Sequence, residues 1–307
     1  MNDFPSSTNE PQPTSQPSEP PLQPEMRDEP QHQMISQSRP EPWGIWATMG
    51  WAILIGIVFS LAQAVVVAVF TMLAYRDNPR LDGMQLIKDF ESNGLLLSIA
   101  VCASSLASAG LTILAARLRW PGTVGTSRTD ANVLPEVSAT ATPLASNTWR
   151  DYLALHPVSS RTLLVWSGVV CLFAIASDTL TSLLGRPIVP EFMQKAYATA
   201  QIVPLLWIAF IIFAPVFEEL FFRGFLFRGL FHTKLGAAGT IVITSLLWAV
   251  IHIQYDAYGI FSIFIVGLLL GWARVRTNSI YPCIAMHCLM NFIATTEAAL
   301  QHAGIMK

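Results

Sequence analysis

Six polar residues in the last third of the chain stand in apolar surroundings: Glu218, Glu219, Arg223, His252, His287 and Asn291. The first three share one run, Phe213-Ala-Pro-Val-Phe-Glu218-Glu219-Leu-Phe-Phe-Arg223-Gly224. Glu219 and Arg223 are four apart, so on a helix they share a face and can pair. Glu218 projects about 100° away from Glu219 and lacks that partner. An unpaired carboxylate held away from bulk water is suited to act as a general base. Pro215 removes the N–H that would bond the carbonyl of Ile211, and a kink is expected just before the acids. His252 follows Trp248 by one turn late in the next apolar run, and His287 and Asn291 are one turn apart in the last. A carboxylate with a histidine can activate water, and a second histidine with an amide can hold an oxyanion. Together they make a hydrolytic set for a peptide bond that needs no serine or cysteine nucleophile. Glu218, His252 and His287 could instead ligate zinc, with water in the fourth position. The sequence leaves both open, and it contains no His-Glu-x-x-His spacing.

The elements that must position these groups are membrane helices. Hydrophobic residues make up 52% of the 307 and charged residues 12%, against about 25% charged in soluble domains. Seven apolar segments fall at 44–75, 94–116, 163–185, 201–230, 237–253, 259–273 and 279–300, most of them near the roughly 20 residues that a span requires. The expected fold is all-α, a polytopic transmembrane bundle of about seven helices. A charge at the centre of such a helix costs about 2.5–3.5 kcal/mol on insertion scales, so the acids and Arg223 must face protein or a water-filled cavity. Asp178 is a further acid at membrane depth and is expected to cap or pair within the bundle. Gly267 and Gly271 form a small-xxx-small face that permits close helix packing.

Half of the 20 prolines fall in residues 1–42, where Pro, Gln, Ser and Glu dominate. Such a segment cannot bury enough apolar surface to fold and reads as a disordered tail. It has no charged-then-apolar start and is not a signal peptide. The chain therefore divides into that tail (1–42), N-terminal transmembrane helices with a polar loop at 118–162 (43–199), and a catalytic core (200–300). Within the loop, residues 148–155 are expected to lie along the interface as a short amphipathic helix. With the N-terminus cytoplasmic, twelve of the 18 Lys and Arg fall inside and six outside, which favours that topology in a cell membrane. Net charge is -2, with no basic face for nucleic acid. Cys102, Cys171, Cys283 and Cys288 lie in apolar runs without metal or redox spacing. His32, His156, His232 and His302 lie in loops or polar flanks and are not site candidates. The implied partners are the bilayer and a protein or peptide substrate in or at it.

Three motifs, taken together, resemble the CPBP family, the CAAX proteases and bacteriocin-processing enzymes also called the Abi family. They are Glu218-Glu219-Leu-Phe-Phe-Arg223, Trp248-Ala-Val-Ile-His252 and His287-Cys-Leu-Met-Asn291. Ala214-Pro215, Gly224, the Gly267 to Gly271 run and Thr277-Asn278-Ser279 agree with it, and the resemblance spans roughly residues 200–295. It implies an intramembrane endopeptidase similar to the type II CAAX prenyl protease. In that reading Glu218 and His252 activate water, His287 and Asn291 hold the oxyanion, and Glu219 and Arg223 order the site. The family has been described both as metalloproteases and as glutamate-dependent proteases, so the implied cofactor is zinc or none. Trp248 stands where phenylalanine is usual, and Asn278 where glycine is. Neither departure is expected to touch a catalytic group. A non-catalytic membrane scaffold or bacteriocin-immunity protein would use the same cavity. A proton-coupled transporter is disfavoured, because no inverted repeat relates the halves.

Overall fold

The computed structural model describes residues 41–77, 93–121 and 148–306. The expected 1–42 tail lies almost wholly outside these, as does most of the 118–162 loop. Eight helices carry the chain: α1 Ile45–Asp77, α2 Gly94–Arg119, α3 Ser160–Leu183, α4 Glu191–Ala198, α5 Val203–Phe231, α6 Gly236–Val250, α7 Ala257–Thr277 and α8 Tyr281–His302. A single further turn spans Trp149–Tyr152. No strand occurs among the described residues. Six of the helices (α1, α2, α3, α5, α7 and α8) are long and apolar enough to cross a membrane, and α6 is a shorter apolar helix. This is the polytopic all-α bundle that the composition requires.

The outer helices show why they belong in lipid. α1 leaves Ile53, Leu61, Val65 and Met72 more than half exposed, and α3 does the same with Leu164, Leu172 and Leu183. Between such helices there is no hydrophobic driving force in a bilayer, so close packing and satisfied polar groups must hold the bundle together. α2 buries Ser98, Ser104, Ser105, Ser108 and Thr112. Thr112 bonds back to the Ser108 carbonyl at 2.7 Å, and Thr244 on α6 to the Thr240 carbonyl at 2.8 Å. The Thr112 and Thr244 hydroxyls thus take up acceptors within their own helices, whereas Ser105 Oγ and Ser108 Oγ are buried without a protein partner among the described residues. The expected small-residue face on α7 meets α6. A Cβ on Gly267 would lie 2.8 Å from Ser245 Cβ, and one on Gly271 2.9 Å from Ile241 Cγ2.

α5 is not one continuous α-helix. Its backbone is α over Val203–Ile208, π over Ala209–Phe213, α over Ala214–Glu219, π over Leu220–Leu226 and α again over Phe227–Phe231. π segments inside α-helices concentrate at functional sites, and here they bracket the two acids. The expected kink takes the form of a register change. The Ala214 N–H reaches back five residues to the Ala209 carbonyl. In that register Pro215 deprives the Phe210 carbonyl, rather than that of Ile211, of its N–H.

Two expectations need correction. Residues 148–155 make a single turn, not an amphipathic helix on a surface. Tyr152, Leu153 and Ala154 are fully buried, and Tyr152 meets Trp120 edge-on at 5.5 Å and Phe225 of α5 at 5.8 Å. A capping box holds the turn: the Thr148 N–H and hydroxyl donate to Asp151. Burial pushes the Asp151 carboxyl up, but these bonds and the one from His156 outweigh it and hold it below the usual range. The segment then clasps the end of α7, with Ile280 N–H donating to the Ala154 carbonyl at 3.0 Å and the Ser279 hydroxyl to the His156 carbonyl. Asn278 has φ 48°, the left-handed turn at which glycine or asparagine is favoured. The second correction concerns α6, which stops at Val250 rather than running to residue 253. His252 therefore sits in the turn beyond the helix, its N–H bonded to the Ala249 carbonyl at 3.1 Å.

Candidate active site

α5 and α8 bring four of the six candidate residues, Glu218, Glu219, Arg223 and His287, into one connected cluster, and Trp248 of α6 links His252 to it. Glu219 and Arg223 are wholly buried and pair along α5, Arg223 Nη1 donating to Glu219 Oε1 at 2.8 Å. Their spacing of four makes that contact local. The next contact is not local. His287 of α8, 3% exposed, donates from Nδ1 to the same Glu219 oxygen at 2.8 Å. A carboxylate acceptor requires the proton on Nδ1, which leaves Nε2 as the free nitrogen. That Nε2 faces Glu218 Oε2 at 3.9 Å. Glu219 therefore orients His287 toward Glu218, as a buried acid orients the histidine of a hydrolase triad. The guanidinium is anchored a second time, Nη2 reaching the Gly267 carbonyl of α7 at 3.4 Å. Arg274 Nε in turn bonds the Arg223 carbonyl at 3.0 Å, satisfying a backbone acceptor within the π segment.

Glu218 is partly open, its side chain 17% exposed. Its Oε2 accepts a hydrogen bond from Trp248 Nε1. The expectation that Trp248 touches no catalytic group is thus corrected: an indole carries an N–H where phenylalanine has only a ring edge. The His252 and His287 rings each meet that indole edge-on, at 5.2 Å and 5.1 Å. His252 Nδ1 donates to the Trp248 carbonyl at 2.7 Å, which leaves its Nε2 free to accept a proton. Among the described residues no group of three or more His, Cys, Asp or Glu is placed to hold a metal ion. Within the set Glu218, His252 and His287, both imidazoles meet the Trp248 ring edge-on.

Asn291 stands one turn along α8 from His287, but its Nδ2 donates to the Phe210 carbonyl at 2.7 Å. That is the acceptor orphaned by Pro215 and the π register. One amide hydrogen is thereby committed to the backbone of α5, and one is left for any other acceptor. Asn291→Leu should therefore destabilise the protein by about 1–3 kcal/mol, the cost of a buried unsatisfied carbonyl. Thermal melts of wild type and variant in the same detergent check this, and equal melting temperatures would refute it.

Two further residues escaped the sequence reading. Tyr255, in the α6–α7 turn, lies 6.2 Å from the His252 ring and edge-on to Phe192 at 6.0 Å. Burial, and then the charge of Glu218, push its phenol up to about 12, so it stays an O–H donor beside the acid. Its position in a turn gave no periodic signal. Glu297 on α8 hydrogen-bonds Asp178 of α3 side chain to side chain. The expected pairing of Asp178 is thus met by a second acid, which reads from sequence as an ordinary residue near a helix end.

Long apolar helices that close around a buried glutamate–arginine–histidine cluster define a multi-pass membrane protein with a polar site between its helices. Residues 200–293 match the family model described as type II CAAX prenyl endopeptidase Rce1-like. The match contains all three motifs and supports the resemblance to the CPBP and CAAX-protease family drawn from them. No curated protein and no solved structure matches the chain.

Proposed function

We propose that this protein is an intramembrane endopeptidase that hydrolyses a peptide bond of a membrane-associated protein or peptide, in CAAX-type or bacteriocin-related processing. The observation that carries the reading is the connected run Arg223–Glu219–His287–Glu218, ionisable groups placed at membrane depth where burying them is costly. In this mechanism Glu218 takes a proton from water, with His252 Nε2 as the neighbouring acceptor. The water oxygen bonds to the scissile carbon and the carbonyl becomes an oxyanion. Collapse breaks the C–N bond, and the proton passes to the leaving nitrogen. His287, backed by Glu219 and receiving at Nε2 the proton that Glu218 took from water, donates to the oxyanion before that proton passes to the leaving nitrogen, and Asn291 has its second N–H to offer. Glu219 and Arg223 hold this arrangement without entering the chemistry. Tyr255 supplies a further O–H beside Glu218. The N-terminus is assigned to the cytoplasm of a cell membrane, on the Lys and Arg distribution.

The test is cleavage by the purified full chain in detergent, with a prenylated C-terminal peptide and a panel of leader peptides, each with and without a chelator. The wild type should cleave at least one of them, and chelator should leave the rate unchanged. Loss on chelation that zinc restores would overturn the metal-free mechanism. If wild type and Glu218→Ala act alike in cells, the peptidase reading gives way to a non-catalytic scaffold or bacteriocin-immunity protein.

A further inference from the structure

One side chain touches four of the six candidate residues and has no part in the reaction just described. Trp248 is 3% exposed, on the last full turn of α6. Its Nε1–H donates to Glu218 Oε2. The imidazoles of His252 and His287 both meet its ring edge-on, at 5.2 Å and 79° and at 5.1 Å and 78°. Arg223 Cζ sits 4.6 Å from the ring centroid, in cation–π range. Its own carbonyl accepts the Nδ1–H of His252 at 2.7 Å.

We propose that Trp248 is a positioning residue of this site: its indole N–H fixes the rotamer of Glu218, and its ring packs against both histidines. The inference rests on the peptidase reading of the same site. Glu218 is reached from α5, a helix whose backbone changes register on both sides of the acid. A carboxylate on such a segment has several rotamers open to it, and an N–H donor from another helix selects one. Oε2 is thereby occupied. Among the described residues Oε1 has no protein hydrogen-bond partner, so it is the oxygen left to take the proton of water. A phenylalanine at 248 would fill nearly the same space and keep the ring contacts, but it could not hold the carboxylate.

That difference supplies the test. Trp248→Phe keeps the aromatic packing and should melt within a few degrees of wild type. It should nevertheless lower kcat by about ten- to a hundredfold with KM little changed, the range expected for losing a hydrogen bond to a charged group. Trp248→Leu should lower kcat and thermal stability together. If phenylalanine restores full kcat, Trp248 only packs and the inference is overturned. A second measurement needs no substrate. In full-length protein labelled with 15N-tryptophan in detergent, Trp248→Phe removes one indole N–H resonance and so assigns it. Glu218→Ala should move that resonance upfield as its acceptor is lost, and an unmoved resonance would overturn the inference. A resonance that moves in a protein cleaving none of the peptides would count against the peptidase reading alone and leave the Trp248–Glu218 contact standing.

Discussion

Glu218→Gln is expected to lower kcat by at least about a thousandfold, within the 10²–10⁴ that a positioned acid–base group contributes. Glutamine keeps the shape of the side chain, and its carbonyl oxygen still accepts from Trp248 Nε1. KM should therefore change little, because packing and the indole contact survive. What disappears is the ability to take a proton from water. The protein should still insert, since the substitution removes a charge from a membrane helix and lowers the cost of burying it. Cleavage of a wild-type substrate by equal amounts of purified protein is the measurement. Retention of more than about a tenth of wild-type turnover would show that Glu218 is not the base, and His252 would then be the next residue to test.

The second large effect is on stability. Arg223→Ala should cost about 3–5 kcal/mol, the range for removing one partner of a buried ion pair. Both side chains are wholly buried. Without the guanidinium, the Glu219 carboxylate keeps only the His287 Nδ1–H at 2.8 Å, and the Gly267 carbonyl loses its Nη2 donor. The melting temperature in detergent should fall by on the order of 10 °C. The double variant Glu219→Gln with Arg223→Met should recover much of that loss, because no uncompensated charge is left in the core. It should nevertheless stay slow, since His287 loses the carboxylate that orients it. A double variant as unstable as Arg223→Ala would mean that the cost lies in the space Arg223 fills against Trp248 and not in its charge.

Glu219 and Glu218 thus have opposite requirements although they are adjacent. Glu219 is closed off, with Arg223 and His287 on one oxygen. Glu218 retains some exposure and meets one neutral donor. Adjacent positions on a helix differ by about 100°, so the two acids face different neighbours: Glu219 the buried Nδ1 of His287 on α8, and Glu218 the indole of Trp248 on α6.

The sequence by itself determined that this chain is a bundle of membrane helices, because a run of about 20 apolar residues has few other stable solutions. It also determined that Glu219 pairs with Arg223, because a spacing of four fixes two side chains on one face whatever surrounds the helix. The order and spacing of the polar intrusions placed the candidate residues at 218 to 291, and the family match at 200–293 falls over them. The tertiary structure decided which of those faces meet. Spacing within a helix says nothing about the neighbour across it, so the contacts of His287 with Glu219, Trp248 with Glu218 and Asn291 with the Phe210 carbonyl could not be read from periodicity. The end of α6 was hidden as well. Val250, Ile251 and His252 carry no capping or breaking signal, and the apolar pattern runs on past the point where the chain turns. The register of α5 was hidden for a related reason: Pro215 announces a missing donor, but whether four or five residues back lose it depends on packing against α8, where Asn291 supplies the replacement.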